Sequence, residues 1–253
     1  MKFLKLLFAF VILASTKSFA TAQAPDYLII DNDTLKIQSN PLEKYFETNP
    51  FPHNLINSVS SGNWRGYVAY FKFLNGKLVV ENIYKEDYKE NSKGETGYFL
   101  TSIYKDVFGT RSNFECDFYS GLLICPSGKM LEYVHMGYSS LYENYDLLEI
   151  KNGVNIKSKK LTAKEFQKFK IDYFKYYKRT EEYKLKVKEF KDETTGEFGM
   201  NNNSAFLIGN PGIGRENKSL KKKEAEFNAD KQIDSFLFVF LSDYMKTIEI
   251  PTN

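Results

Sequence analysis

Histidine, cysteine, tryptophan and arginine are all scarce in this chain, and each scarcity closes off some chemistry. The two histidines, His53 and His135, are far apart, and Cys116 and Cys125 are the only thiols. That set lacks the ligand spacing of a zinc site, so no metal is expected. No motif calls for a cofactor. Of the 35 basic residues, only Arg65, Arg111, Arg179 and Arg215 are arginines. Arginine is the usual reader of phosphates and guanine edges, so a nucleic-acid partner is not expected. Long apolar runs are missing as well. The longest, Leu6 to Ala14, is too short for a bilayer, which takes roughly 20 residues.

What stands at the N-terminus explains that short run. Lys2 and Lys5 precede it, and the small-x-small site Ala22-Gln23-Ala24 follows it, the order of a secretory signal peptide. Residues 1–24 are therefore expected to be removed, leaving 25–253 as one exported domain without a transmembrane segment, periplasmic or secreted. The leader carries three lysines (Lys2, Lys5, Lys17) and no acid, so the net charge of +3 falls to zero on its removal. The basic balance belongs to the leader and says nothing about partners of the mature protein. No cysteine follows the apolar run, so a lipid anchor is not expected.

An oxidising compartment permits a disulfide. Ser120-Gly121 reads as a two-residue hairpin turn, and its register places Cys116 opposite Cys125 at a non-hydrogen-bonded pair, where side chains come closest. A Cys116–Cys125 bridge is expected on that ground, closing a small loop for about 3 kcal/mol.

The pattern predicts an α+β protein: an antiparallel β-meander of about eight short strands over 25–160, with helices from a helix-rich 161–253 packed on one face. Asn75-Gly76 joins Trp64–Leu74 to Lys77–Tyr84, and Asn152-Gly153 joins Tyr145–Lys151 to Val154–Lys159, both as type I′ hairpins. Polar 86–97 reads as a solvated loop. Leu100–Phe108 reads as a short helix capped by Gly109. Thr162 and Glu165 form a capping box, and Phe166, Phe169, Tyr173 and Tyr176 recur at helical spacing behind it. After Thr180 the alternation fits an edge strand or more helix. Ala225–Lys246 reads as a well-buried final helix.

The sharpest motif is a decoy. Gly209-Asn210-Pro211-Gly212-Ile213-Gly214-Arg215-Glu216 follows an apolar stretch as a phosphate-binding loop would. Arg215, however, replaces the lysine, Glu216 replaces the hydroxyl residue that holds Mg²⁺, and too little chain follows for a parallel sheet. A surface turn is the better reading. His135 could serve as a general base with Ser139 or Ser140 nearby and Glu143 orienting it. The alternative is a sheet-face histidine bonded to a neighbour. Trp64-Arg65 could stack on a sugar or clamp a carboxylate, or be a core ring beside a surface cation.

Three segments carry a resemblance. Pro41-Leu42-Glu43, Trp64-Arg65-Gly66-Tyr67-Val68-Ala69 and Tyr133-Val134-His135-Met136-Gly137-Tyr138, with Tyr142-Glu143 after the last, are similar to a family of exported bacterial proteins. The likeness covers about residues 26–160. It implies export and carries no activity, substrate or catalytic residue. Two functions follow as expectations. The first is a non-enzymatic binding or interaction protein for an extracytoplasmic ligand or protein, with Trp64, Arg65, His135, Tyr138 and Glu143 as the candidate binding surface. The second is an extracytoplasmic hydrolase acting on a glycan or peptide.

Overall fold

A computed structural model describes residues 23–56, 62–90, 96–134, 136–197 and 230–252. Its strands are β1 (Asp26–Ile30), β2 (Asp33–Ile37), β3 (Tyr67–Leu74), β4 (Lys77–Glu90), β5 (Thr96–Ser102), β6 (Phe114–Glu115), β7 (Gly121–Glu132), β8 (Leu141–Lys151) and β9 (Val154–Thr162). The helices are α1 (Pro41–Phe46), α2 (Tyr104–Phe108), α3 (Ala163–Tyr177), α4 (Glu181–Glu197) and α5 (230–239), followed by a 3-10 turn at Leu241–Tyr244. The class is α+β. The sheet runs β2-β1-β3-β4-β9-β8-β7, with β5 and β6 also paired to β4. Gln38 N–H donates to Ile124 O at 2.8 Å, so β2 returns toward β7 and the sheet curls round on itself.

The sheet is mixed, which corrects the pure meander. β1 and β3 are parallel, with Tyr27 opposite Tyr70 and Leu28 opposite Phe71. The reason is the connection: α1 and the segment after it separate β2 from β3, long enough for the chain to re-enter on the far side of β1. Both Asn-Gly hairpins form, with Asn75, Gly76, Asn152 and Gly153 all at the positive φ that a type I′ turn demands. The first keeps the expected register only near its turn. A bulge between Tyr70 and Phe71 then moves Ile83 opposite Ala69, into the core. The polar 86–97 stretch is not simply a loop, because β4 continues to Glu90 and pairs with β5. A polar, charged composition there does not mark the end of the strand.

The cysteine hairpin does not form. β6 pairs with Val79 and Val80 of β4, a turn closes from Tyr119 N–H to Cys116 O at 2.9 Å, and β7 pairs with β8, placing Cys125 opposite Asp146. Cys116 and Cys125 are free thiols, both buried in the inner core, which corrects the expected bridge. A two-residue turn at Ser120-Gly121 rests on local spacing alone, whereas β6 and β7 each pair with a longer strand elsewhere.

β7 and β8 separate two cores. Along β7, Leu123 and Cys125 face an inner cluster with Leu28, Phe71 and Phe108, while Leu122 and Ile124 face an outer cluster under α3. The period of two sends alternate residues to opposite sides. The capping box is present: Thr162 Oγ1 accepts from Glu165 N–H, and Thr162 N–H donates to Glu165 Oε2. Phe166 stacks on Tyr145 with ring centroids 3.8 Å apart. Tyr177, rather than Tyr176, completes the buried stripe of α3. After Thr180 the chain is helix, because the Thr180 hydroxyl accepts from Tyr183 N–H and caps α4. The Gly209–Glu216 segment lies outside the described residues, as do residues 1–22.

Burial pushes the Cys125 thiol up to about 12 and raises Cys116 as well. A thiol reagent at neutral pH is therefore expected to leave both cysteines unmodified in the folded protein. After denaturation without reductant it should label two, as read by mass. Fewer than two would mean that a bridge forms in that preparation.

Candidate functional site

The site grows from the turn that leads into β3. Gly66 N–H donates to Asn63 O at 3.0 Å, so Trp64 and Arg65 occupy the two middle positions of a tight turn, not a strand. Neighbouring side chains of that turn point opposite ways. Trp64 is 59 % exposed and Arg65 only 4 %. Gly66 follows at φ +75°, a conformation glycine adopts freely and other residues avoid.

Arg65 enters a buried polar seam. Its Nη1 donates to Asp26 Oδ2 at 2.9 Å, and its Nη2 donates to Ala24 O at 2.8 Å. The other Asp26 oxygen accepts from Ala69 N–H at 2.8 Å, beside the parallel β1–β3 ladder. Tyr138 OH reaches both Ala24 O and Asn40 Oδ1, and Asn40 Nδ2 donates to Asp243 Oδ1. Asn40 precedes α1 without capping it, its side chain being engaged in the seam. Arg65 also lies over the Tyr67 ring at 5.0 Å, and Tyr67 OH donates to Glu43 Oε1 at 2.5 Å. One cation thus sits among three carboxylates and two phenols contributed by β1, α1, β3 and the segments around Tyr138 and Asp243.

The electrostatics follow from burial. Desolvation works against the Arg65 charge, but Asp26, helped by the Tyr138 and Tyr67 oxygens, holds the guanidinium firmly protonated. Desolvation raises Asp26 against the pull of Arg65. Asp243 keeps exposed surface in crowded surroundings. Desolvation pushes its carboxyl up to about 7; Glu43 and Asp26 add to the rise, while Arg65 and Asn40 oppose it.

Above this seam lies a cavity of about 410 Å³, lined by Glu43, Phe46, Glu47, Phe51, Trp64 and Tyr67 with Arg65 and Pro50. A second, of about 370 Å³, lies between the Tyr138–Leu141 segment and α3, with Lys170 and Phe238 on its wall. Burial brings the Lys170 amine down to about 8, and its Nζ rests 4.8 Å over the Phe238 ring.

Of the expected surface, the structure brings together Trp64, Arg65 and Tyr138: Arg65 adjoins Trp64, and it shares the Ala24 carbonyl with Tyr138. Glu143 is placed elsewhere, its Oε2 accepting from Lys129 N–H at 2.9 Å, next to the irregularity in β7. His135 lies outside the described residues. Arg65 does not offer a free fork for a ligand carboxylate, because Asp26 and Ala24 occupy both of its terminal nitrogens. Asp26, Asn40 and Asp243 were not legible as site residues. Glu43 and Tyr67 carried one signal each, their places in the Pro41-Leu42-Glu43 and Trp64–Ala69 segments. Glu43, Arg65, Tyr67 and Tyr138, far apart in the chain, meet here.

Among the described residues no group of three or more acidic, histidine or cysteine side chains could hold a metal ion, and no helix is long and apolar enough to cross a membrane. A scan against protein-family models, a search of curated proteins and a search of solved structures each found no match.

Removing Asp26 strands a buried cation. Asp26→Ala is expected to lower the unfolding free energy by about 3–5 kcal/mol in urea titrations. The double change Asp26→Ala with Arg65→Leu should cost less than the sum of the two single changes. Asp243 gives a pH signature. Its folded acid is weaker than the unfolded one, so the native state holds a proton that the unfolded chain has lost between the ordinary 3.8 and about 7. Stability should fall as pH rises through that window. Asp243→Asn keeps the acceptor for Asn40 and should flatten the decline in thermal midpoint.

Proposed function

We propose that the protein is exported and acts as a non-enzymatic binding protein for a glycan, received in the Trp64 cavity. One observation carries the reading: the only tryptophan of the chain stands exposed at the mouth of a cavity walled by Phe46, Phe51 and Tyr67 and edged by the carboxylates of Glu43 and Glu47. A flat ring offers a stacking face for the C–H side of a sugar, and a carboxylate accepts from its hydroxyls. The Arg65 charge is already matched by Asp26, so the cavity has no free fork for an anionic ligand. Acceptors beside rings suit a neutral, hydroxyl-rich one. An apolar ligand would draw the half-buried Glu43 and the exposed Glu47 carboxylates further from water with nothing new to offset the loss.

A hydrolase acting on the same class of ligand is the second reading, and Asp243 favours it. A carboxyl titrating near 7 is suited to general-acid work at neutral pH. It ranks second because Asp243 does not line the Trp64 cavity.

Because tryptophan occurs once, its emission reports this cavity directly. Titration with a panel of neutral and N-acetylated oligosaccharides should shift or quench that emission for at least one member. Calorimetry with the same sugar should show Trp64→Ala weakening the affinity at least about tenfold, equivalent to about 1.4 kcal/mol. Emission and heat unchanged across the panel would sink the glycan reading. New reducing ends that disappear in Asp243→Asn would move the assignment to the hydrolase.

A further inference from the structure

The structure assigns the processing point of the chain to the Ala22–Gln23 bond, and with it the first residue of the working protein, Gln23. The inference rests on the export reading and goes beyond it, since it fixes which bond is cut. Two overlapping Ala-x-Ala sites compete in the sequence, Ala20-Thr21-Ala22 and Ala22-Gln23-Ala24. The second places the cut at Ala24–Pro25, the site expected from the sequence alone. The fold discriminates between them.

Residues 23 and 24 belong to the folded domain. Gln23 N–H donates to Gly137 O and Ala24 N–H to Gly62 O, at 3.1 and 2.6 Å. The Gln23 side-chain amide donates to Gly62 O as well, at 3.1 Å. The Ala24 carbonyl accepts from Arg65 Nη2 and from Tyr138 OH. This short strap ties the turn before β3 to the Gly137 loop.

A cut after Ala24 would remove every one of these bonds. It would take away the acceptor of a buried guanidinium and leave a cationic secondary amine at Pro25 N in its place. That nitrogen and the Ala24 oxygen are bonded to the same carbon, so the new charge would stand within about 5 Å of Arg65. Two cations would then share a site that holds one, with Arg65 Nη2 and Tyr138 OH both stripped of a partner. The bond is also a poor target. It is a tertiary amide whose nitrogen lies in a ring of fixed φ.

A cut after Ala22 keeps the whole strap. Water adds its hydroxyl to the Ala22 carbonyl carbon, the C–N bond breaks, and the pair of electrons and a proton go to Gln23 N. The catalyst is a membrane-bound leader peptidase selective for small residues, and no redox change is involved. The amine so formed, protonated at neutral pH, still has N–H groups for Gly137 O.

The test is the N-terminus of the exported chain. The full chain, produced in an export-competent bacterial host, is recovered outside the cytoplasm and read by intact mass and N-terminal sequencing. Gln23 as the first residue is expected. Ala22→Leu should block or displace the cut, and Ala24→Leu should leave it at Gln23, since only backbone atoms of Ala24 serve the strap. An exported chain beginning at Thr21 or Pro25, or a cut blocked by Ala24→Leu alone, overturns the assignment and leaves the export reading standing. A chain that stays unprocessed inside the cell overturns both. Independently, chains made to begin at Gln23 and at Pro25 should differ in thermal midpoint by at least about 5 °C, the longer being the more stable. Equal midpoints would also overturn the inference.

Discussion

A guanidinium with almost no exposed surface must find an anion and enough acceptors, or the fold around it cannot close. Arg65 finds Asp26 on one terminal nitrogen and the Ala24 carbonyl on the other. Much of the architecture near the site reads as the means of bringing those two groups to it. Asp26 opens β1, and β1 must lie parallel to β3 for the Asp26 carboxylate to reach Ala69 N–H. The Asn63–Gly66 turn must face its second residue inward. That same turn throws Trp64 outward. The exposed ring and the buried charge are therefore two products of one backbone conformation, and the cavity inherits its position from the ion pair beneath it.

The pair need not make a large net contribution to stability. Withdrawing two charges from water is costly, and their attraction offsets that cost only when geometry and extra hydrogen bonds are good. Here Ala69, Ala24 and the Tyr67 ring supply most of the arrangement, and the buried Arg65 Nε is left without a hydrogen-bond partner. Its effect is specificity, since a slip of β1 along β3 would leave a carboxylate and a guanidinium buried without each other. An apolar substitute at position 65 would permit such a slip.

Local features were readable from the chain, and long-range ones were not. Both Asn-Gly hairpins and the Thr162–Glu165 capping box depend on residues a few positions apart, and their chemistry declares itself. The Cys116–Cys125 hairpin looked equally local. It failed because a two-residue turn competes with strands offering longer ladders, and nothing in residues 114–125 reveals that β4 and β8 are waiting. In the site, Trp64 and Arg65 stand out by residue type, and Tyr138 only by its place in the Tyr133–Tyr138 segment. Asp26, Asn40 and Asp243 did not, because an acid or amide is ordinary until the fold buries it or crowds it. The parallel β1–β3 contact and the Asn40–Asp243 bond join parts of the chain that no periodicity connects.

That last bond has a consequence for the order of events. Asn40 and Tyr138 link the Ala24 carbonyl to Asp243, so the seam joins the first described residues to a segment near the C-terminal end. Glu149 reaches in the same direction, accepting from Ile248 N–H at 2.8 Å. A chain synthesised from its N-terminus exposes Asp26 and Arg65 long before Asp243 emerges. The two-sided β7–β8 layer would likewise wait for Leu241 and Met245 to cover its outer side. Contacts of such wide sequence separation fold slowly, because loop closure precedes their reward. Completion of the site is thus set by the arrival of Asp243, and a chain cut short before it would display a half-built seam rather than a smaller working protein.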